Sequence, residues 1–230
     1  MGVMKAFVDV CDEPLHREVY KNEFLRLYRA MLEPGTGTEF HRHSKDTIYL
    51  VLRGGMVSSE KMEGTASCPT ILAKSLSIKS RLSLLIQKVF TGKLYLGRGF
   101  VFYMPSKKKP VIHKAKASNG NDGIMDLLGI EILFTIPEKK RSTSSFGSVE
   151  LETDAIVVRR FKIKAFQAVE GEKIEKVLIV VVSGKVEIKE VGEPVVLKAG
   201  DFYWVDSGII PKIENHDLEQ AEILYVQLKT

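Results

Sequence analysis

The 230-residue sequence is poor in cysteine, tryptophan and histidine, with two, one and five residues respectively. Cys11 and Cys68 are too few for a disulfide framework and have no zinc-type spacing, so they read as ordinary thiols. No apolar run approaches the ~20 residues that a membrane-spanning helix needs. Met1–Val10 carries no signal-peptide core. These two absences point to a cytoplasmic protein with no membrane partner. No nucleic-acid-binding motif accompanies the basic residues, so no nucleic-acid partner is expected. Glutamine and asparagine are few while charged residues make up 27%, a usage that suits a thermophile.

What is present is unevenly distributed. Residues 1–148 hold 23 basic against 14 acidic side chains, whereas residues 149–230 hold 11 against 15. A basic surplus in the first part suits a small anionic ligand. Hydrophobic content of 44% is ordinary for a globular chain, and the length accommodates two domains of roughly 100 residues. Two of the five histidines, His41 and His43, stand one residue apart in the stretch Gly35–Gly54. Residues two apart in a strand share a face, so both imidazoles can aim at one point. That is half of a metal site, needing one or two further ligands.

Elsewhere the chain reads mostly as strands. Met4–Val10 and Phe24–Glu33 are expected strands, and Gly54-Gly55 a hairpin turn into Met56–Glu60. Asp12-Glu13-Pro14 has the form of a helix start, an acidic cap followed by proline, and His16 after it reads as a surface residue. Between 65 and 95, Leu72, Leu76, Leu82, Ile86, Val89 and Phe90 are spaced for one helical stripe, although several serines leave a pair of strands as the rival. This insertion would pack on the barrel or a partner subunit, close over the barrel mouth as a lid, or lie on a membrane surface. Pro137–Ser145 is charged, then serine-rich, and reads as a linker.

The Gly35–Gly54 stretch resembles the first signature motif of the cupin superfamily: Gly, five residues, His-x-His, three or four residues, Glu, six residues, Gly. Gly35, His41, His43 and Gly54 fall on that pattern, and Thr47, preceded by Asp46, occupies the Glu position. Gly99 to Asn119 resembles the second motif, stretched by Lys107-Lys108-Lys109-Pro110, so that its histidine arrives late as His113. A weak repeat follows. Laid over the first motif, it puts Gly171, Lys173 and Val177 at ligand positions, leaves Pro211 or Lys212 where the last histidine would be, and leaves His216 alone.

The resemblance implies a mainly β chain with two cupin-type β-barrels (jelly-roll, double-stranded β-helix) in tandem and a short helical insertion in the first. The expected boundaries are 1–140 for the metal-site barrel with its insertion at 65–95, 141–148 for the linker and 149–230 for a degenerate second barrel. His41, His43 and His113 would hold one divalent transition metal (Fe, Mn, Zn, Ni or Cu), with Glu39 or Asp46 as a possible fourth ligand. Glu39 shares the parity of His41 and His43 in a regular strand. Thr47, Tyr49, Tyr103 and Lys107 are the candidate substrate-binding residues. Three-histidine iron sites in cupins imply a dioxygenase-type oxidoreductase acting on a small polar or anionic molecule. The alternatives are a sugar or sugar-phosphate isomerase, which needs a general base such as Glu39, and a non-catalytic small-molecule or metal-binding module. The expected assembly is a monomer or a homodimer.

Overall fold

A computed structural model describes residues 7–63, 71–72, 93–134, 147–170, 176–190, 192–206 and 211–229. The chain divides into two compact units, Met1–Phe134 and Thr135–Thr230. All regular structure among the described residues is β-strand.

The first unit contains β1 (Val8–Asp9), β2 (His16–Lys21), β3 (Leu25–Leu32), β4 (His41–His43), β5 (Thr47–Arg53), β6 (Gly55–Lys61), β7 (Ile71–Leu72), β8 (Lys93–Leu96), β9 (Val101–Met104), β10 (Val111–Ala117) and β11 (Met125–Ile132). One sheet has the order β1-β4-β10-β6-β8 and the other β2-β3-β11-β5-β9-β7. Every ladder is antiparallel except β1 with β4. The two inner faces close over a core that includes Tyr28, Leu32, Tyr49, Val51, Met104 and Val111.

The second unit repeats the plan with β12 (Ser148–Glu152), β13 (Ile156–Ile163), β14 (Ala168–Glu170), β15 (Val177–Ser183), β16 (Lys185–Lys189), β17 (Val195–Lys198), β18 (Phe202–Val205), β19 (Lys212–Glu214) and β20 (Ala221–Leu228). Its sheets run β12-β13-β20-β15-β18 and β14-β19-β16-β17. Its interior is filled by aliphatic and aromatic side chains, among them Phe161, Ile179, Val181, Ile188, Ile213 and Tyr225. Gly171 and Lys173, the residues laid over the first unit's His-x-His, lie outside the described residues.

One expectation changes, and two fall largely outside the described residues. Residues 12–14 start no helix. The Glu13 carbonyl accepts the His16 N–H at 3.0 Å, closing a turn from which β2 departs. The Glu13 carboxylate is occupied by the Leu15 N–H and the His16 ring, so it caps nothing. The helical stripe expected at 65–95 lies largely outside the described residues. Where it is described, Ile71 and Leu72 form a strand paired with Tyr103 and Phe102, and residues 93–95 belong to β8. The expected linker 141–148 also lies outside the described residues, apart from Gly147 and the first residue of β12.

One contact fixes the centre of the first barrel. Tyr28, Gly129 and Tyr49 are consecutive cross-strand neighbours on β3, β11 and β5. With no side chain at Gly129, the Tyr28 ring lies across it and its hydroxyl meets the Tyr49 hydroxyl at 2.6 Å. A Cβ at 129 would collide with the Tyr28 ring. Overpacking of this kind costs about 1–3 kcal/mol. Gly129→Ala is therefore expected to lose about that much stability in urea unfolding. Tyr28→Phe, which removes only the hydroxyl, should lose roughly 1 kcal/mol.

Candidate metal centre and cavity

The short strand β4 alternates as a regular strand must. His41 and His43 point into the barrel and are buried, while Arg42 between them turns outward to Asp9, with Nε and one terminal nitrogen 2.8 and 3.0 Å from the two carboxylate oxygens. The neighbouring strand β10 sets His113 directly opposite His41. Ligand nitrogens of His41, His43 and His113 lie within 4.8 Å of one another. Their rings stand 4.8, 4.7 and 5.1 Å apart for the pairs 41–43, 41–113 and 43–113.

Second partners fix two of the rings. His41 Nδ1 lies 2.9 Å from the Glu39 carbonyl, to which it donates, and His113 Nδ1 lies 2.9 Å from Ser59 Oγ. Each contact leaves Nε2 free to face the centre, which is how metal-binding imidazoles are commonly oriented. His41 Nε2, His113 Nε2 and both nitrogens of His43 are buried without a hydrogen-bond partner. Buried polar atoms normally have partners. Burial lowers the pKa of His41 to about 4 and that of His113 to about 3, helped in both by neighbouring imidazoles. Burial, then His113 and His41, pushes His43 well below its ordinary value. The three rings are therefore neutral and keep their lone pairs, the state that binds a divalent ion. These residues fit one borderline transition metal.

A fourth histidine stands beside them. His16 is not a surface residue: its side chain is only 4% exposed, and its ring lies 4.6 Å from that of His41 and 6.2 Å from that of His43. Its Nδ1 lies 2.5 Å from Glu13 Oε2. The other Glu13 oxygen accepts the Glu39 N–H at 3.2 Å. Burial raises the Glu13 pKa, but the hydrogen bonds from the His16 ring and the Glu39 N–H act against it and the net shift is downward.

Neither proposed fourth ligand joins the cluster. Glu39 is exposed, because the regular strand starts only at His41 and its alternation does not extend back to residue 39. The Asp46 carboxylate accepts the Lys107 N–H at 2.8 Å and ties two loops together. Across from Thr47, at the motif's acidic position, stands the buried Glu131 of β11. It is held 2.7 Å from Arg26. Burial raises its pKa against the pull of Arg26.

A cavity of about 170 Å³ adjoins the histidines. His16, His41 and His113 contribute to its wall, and the rest is mostly apolar: Leu94, Leu96, Phe100, Phe102, Met104 and Leu127 line it, with Tyr49 stacked on Phe102 at 4.9 Å. No described carboxylate lines it. Of the four expected substrate-binding residues, Tyr49 lines the cavity. Thr47 is fully buried and donates to the Lys45 carbonyl at 3.1 Å. Tyr103 pairs with Ile48 on the other face of its sheet, so strand alternation gives the cavity Phe102 and Met104 instead. Lys107 is exposed and does not line the cavity. Sequence reasoning missed His16 and these aromatic walls. The signals were Glu13 three residues before His16, and the alternation of residues 102 and 104 around 103.

His216 is not alone in the second unit. Its Nε2 lies 3.1 Å from Glu214 and 3.7 Å from Glu187, and the three have been drawn close enough to suggest a cation site. Lys189 and Lys212 already occupy these carboxylates: Lys189 is 2.5 Å and Lys212 2.6 Å from Glu214. Their hydrogen bonds hold the Glu214 carboxyl down to about 2. The group is a surface ion-pair network.

No protein-family model matches the sequence, and no curated protein matches it. Solved structures do. A cupin 2 conserved barrel domain protein from Leptotrichia buccalis is 11% identical, with a TM-score of 0.55 over 94% of this chain and 88% of that one. Salicylate 1,2-dioxygenase from Pseudaminobacter salicylatoxidans is 10% identical, with a TM-score of 0.57 over 92% and 75%. AerE from Microcystis aeruginosa is 12% identical, with a TM-score of 0.55 over 95% and 99%. The chain thus has the cupin fold, as two barrels in tandem. Identity this low carries the fold and no activity.

The histidine pKa values make a prediction for the metal-free protein. Below pH 6.5 the unfolded chain takes up protons that the folded His41 refuses until about 4 and His113 until about 3. Stability is therefore full above pH 6.5 and falls as the pH drops through that window, by about 1.4 kcal/mol per pH unit for each histidine. Urea unfolding between pH 7.5 and 5 should show this slope, and His113→Leu should make it shallower.

Proposed function

We propose that the first barrel is a metal-dependent cupin centre in which His41, His43 and His113 hold one divalent transition metal, and that the protein is a dioxygenase-type oxidoreductase acting on a small molecule with an apolar body. The observation that carries the reading is the convergence of three neutral, partnerless imidazole nitrogens beside an apolar cavity. A metal bound there would act as the Lewis acid that brings the reactants together. The chain's own residues do the rest. Glu39 and Ser59 hold the rings of His41 and His113. Leu94, Leu96, Phe100 and Phe102 exclude water and grip the apolar part of the substrate. Tyr49, braced by Tyr28 and Phe102, forms the aromatic floor.

The cavity qualifies the sequence reading of the substrate. A polar or anionic group belongs at the histidine end, while the body must be apolar to fill the remaining wall. An isomerase would need a general base within reach of the substrate. Glu39 is exposed and does not line the cavity, so the base named for that alternative does not reach the substrate. The salicylate dioxygenase neighbour agrees with the oxidoreductase reading by analogy of fold.

Elemental mass spectrometry on protein purified without chelators tests the centre. About one metal per chain is expected, and His41→Ala/His43→Ala should carry none. Ser59→Ala should keep the fold and bind the metal roughly 10- to 100-fold more weakly, because His113 loses its orienting partner. Oxygen uptake by the iron-loaded protein with a panel of aromatic and aliphatic hydroxy acids tests the reaction. Full metal loading without uptake on any of them would leave a non-catalytic binding module.

A further inference from the structure

His16 belongs to no motif and is not one of the three histidines whose nitrogens lie within 4.8 Å of one another. It is nevertheless built into the site. Its Nδ1 is committed to Glu13 at 2.5 Å, and Glu13 is the ring's only hydrogen-bond partner among the described residues. The ring forms part of the cavity wall and Glu13 does not, so the edge carrying Nε2 is the one the cavity meets. Glu13 is itself pinned by the N–H groups of Leu15 and Glu39, at 2.9 and 3.2 Å. The ring therefore has one anchored orientation. With Nδ1 committed to a carboxylate, Nε2 is the ring nitrogen left to meet a ligand, and in a neutral imidazole so bonded it is the acceptor. His16 Nε2 is not one of the buried atoms left without a partner, in keeping with an atom that opens on the cavity and can meet its occupant.

We propose that the Glu13–His16 pair recognises the small molecule bound at the centre: His16 Nε2 accepts a hydrogen bond from an O–H or N–H group that the molecule carries next to its metal-binding atom. The inference rests on the metal reading above and adds a specificity. The preferred ligand has an apolar body and two adjacent heteroatoms, one binding the metal and the other keeping its proton. Molecules that bind the metal but have no such donor gain nothing from His16. Discrimination of this kind is strong because a site built to bond a hydroxyl leaves its own polar atom unpaired when the hydroxyl is missing.

The test uses the full chain loaded with Co(II) and two probes titrated by absorbance: 4-nitrocatechol, which can bind through one oxygen and donate through the other, and azide, which has no donor. His16→Phe should keep its cobalt and bind 4-nitrocatechol about tenfold or more weakly, with azide affinity unchanged. Glu13→Gln, which leaves the imidazole in place but frees it to turn, should show a smaller loss in the same direction. Equal 4-nitrocatechol affinity in the wild type and both variants would overturn the inference. So would an equal loss of azide, or loss of cobalt from His16→Phe, which would make His16 a ligand. Wild-type protein that takes up no cobalt would overturn the metal reading and this inference with it, whereas cobalt uptake with equal affinities overturns this one alone.

Discussion

One buried carboxylate holds the site together. Glu13 reaches the His16 ring on one side and the Glu39 peptide on the other, and the carbonyl of Glu39 orients His41. Two imidazoles from separate strands of opposite sheets therefore depend on a single acidic side chain in the turn before β2. A buried anion must be paired to be tolerated, and Glu13 is paired on both oxygens. Its arrangement is also local. His16 lies three residues away, so the pair forms whenever the turn forms, and the Glu39 contact then registers the start of β4 against it.

The layers below the histidines follow from strand alternation. Tyr28 crosses Gly129 to reach Tyr49, and Tyr49 stacks on Phe102. His43 meets the Tyr49 ring edge-on at 6.2 Å, and His16 meets Tyr28 at 5.1 Å. The aromatic layer thus supports two histidines from beneath, and the aliphatic side chains above it shape the cavity. The second unit uses the same strand plan without such a cluster among its described residues. Its interior is occupied by side chains such as Ile179, Ile188 and Ile213.

Much of this was legible before any coordinates. Apolar runs and turn signals located several strands, and the resemblance of Gly35–Gly54 to a cupin motif pointed to the fold and to His41 and His43. His113 was singled out by the resemblance of Gly99 to Asn119 to the second cupin motif, with the basic insertion taken as a stretch in that pattern. The misreadings have physical causes. Asp12-Glu13-Pro14 has the composition of a helix start, and only the tertiary contacts of Glu13 convert it into a turn. The alternation rule fails for Glu39 because the regular strand begins two residues later. Tyr103 falls on the outer face because its pairing with Ile48 sets its parity, and a single sequence does not reveal that register. The cavity walls come from nine separate strands, which no local pattern can assemble.

The ligand set has a further consequence in its arithmetic of charge. Three uncharged rings bring no negative charge to a dication, unlike a set that includes a carboxylate. An ion held by them would keep its full double charge among hydrocarbon walls, where water is scarce and the field reaches far. The protein then leaves neutralisation to whatever enters, so an incoming molecule that ionises on arrival supplies what the scaffold withholds. On this view the threonine at position 47 is more than the loss of a ligand. With a metal bound by the three rings alone, the occupant of the cavity would be the missing counter-charge.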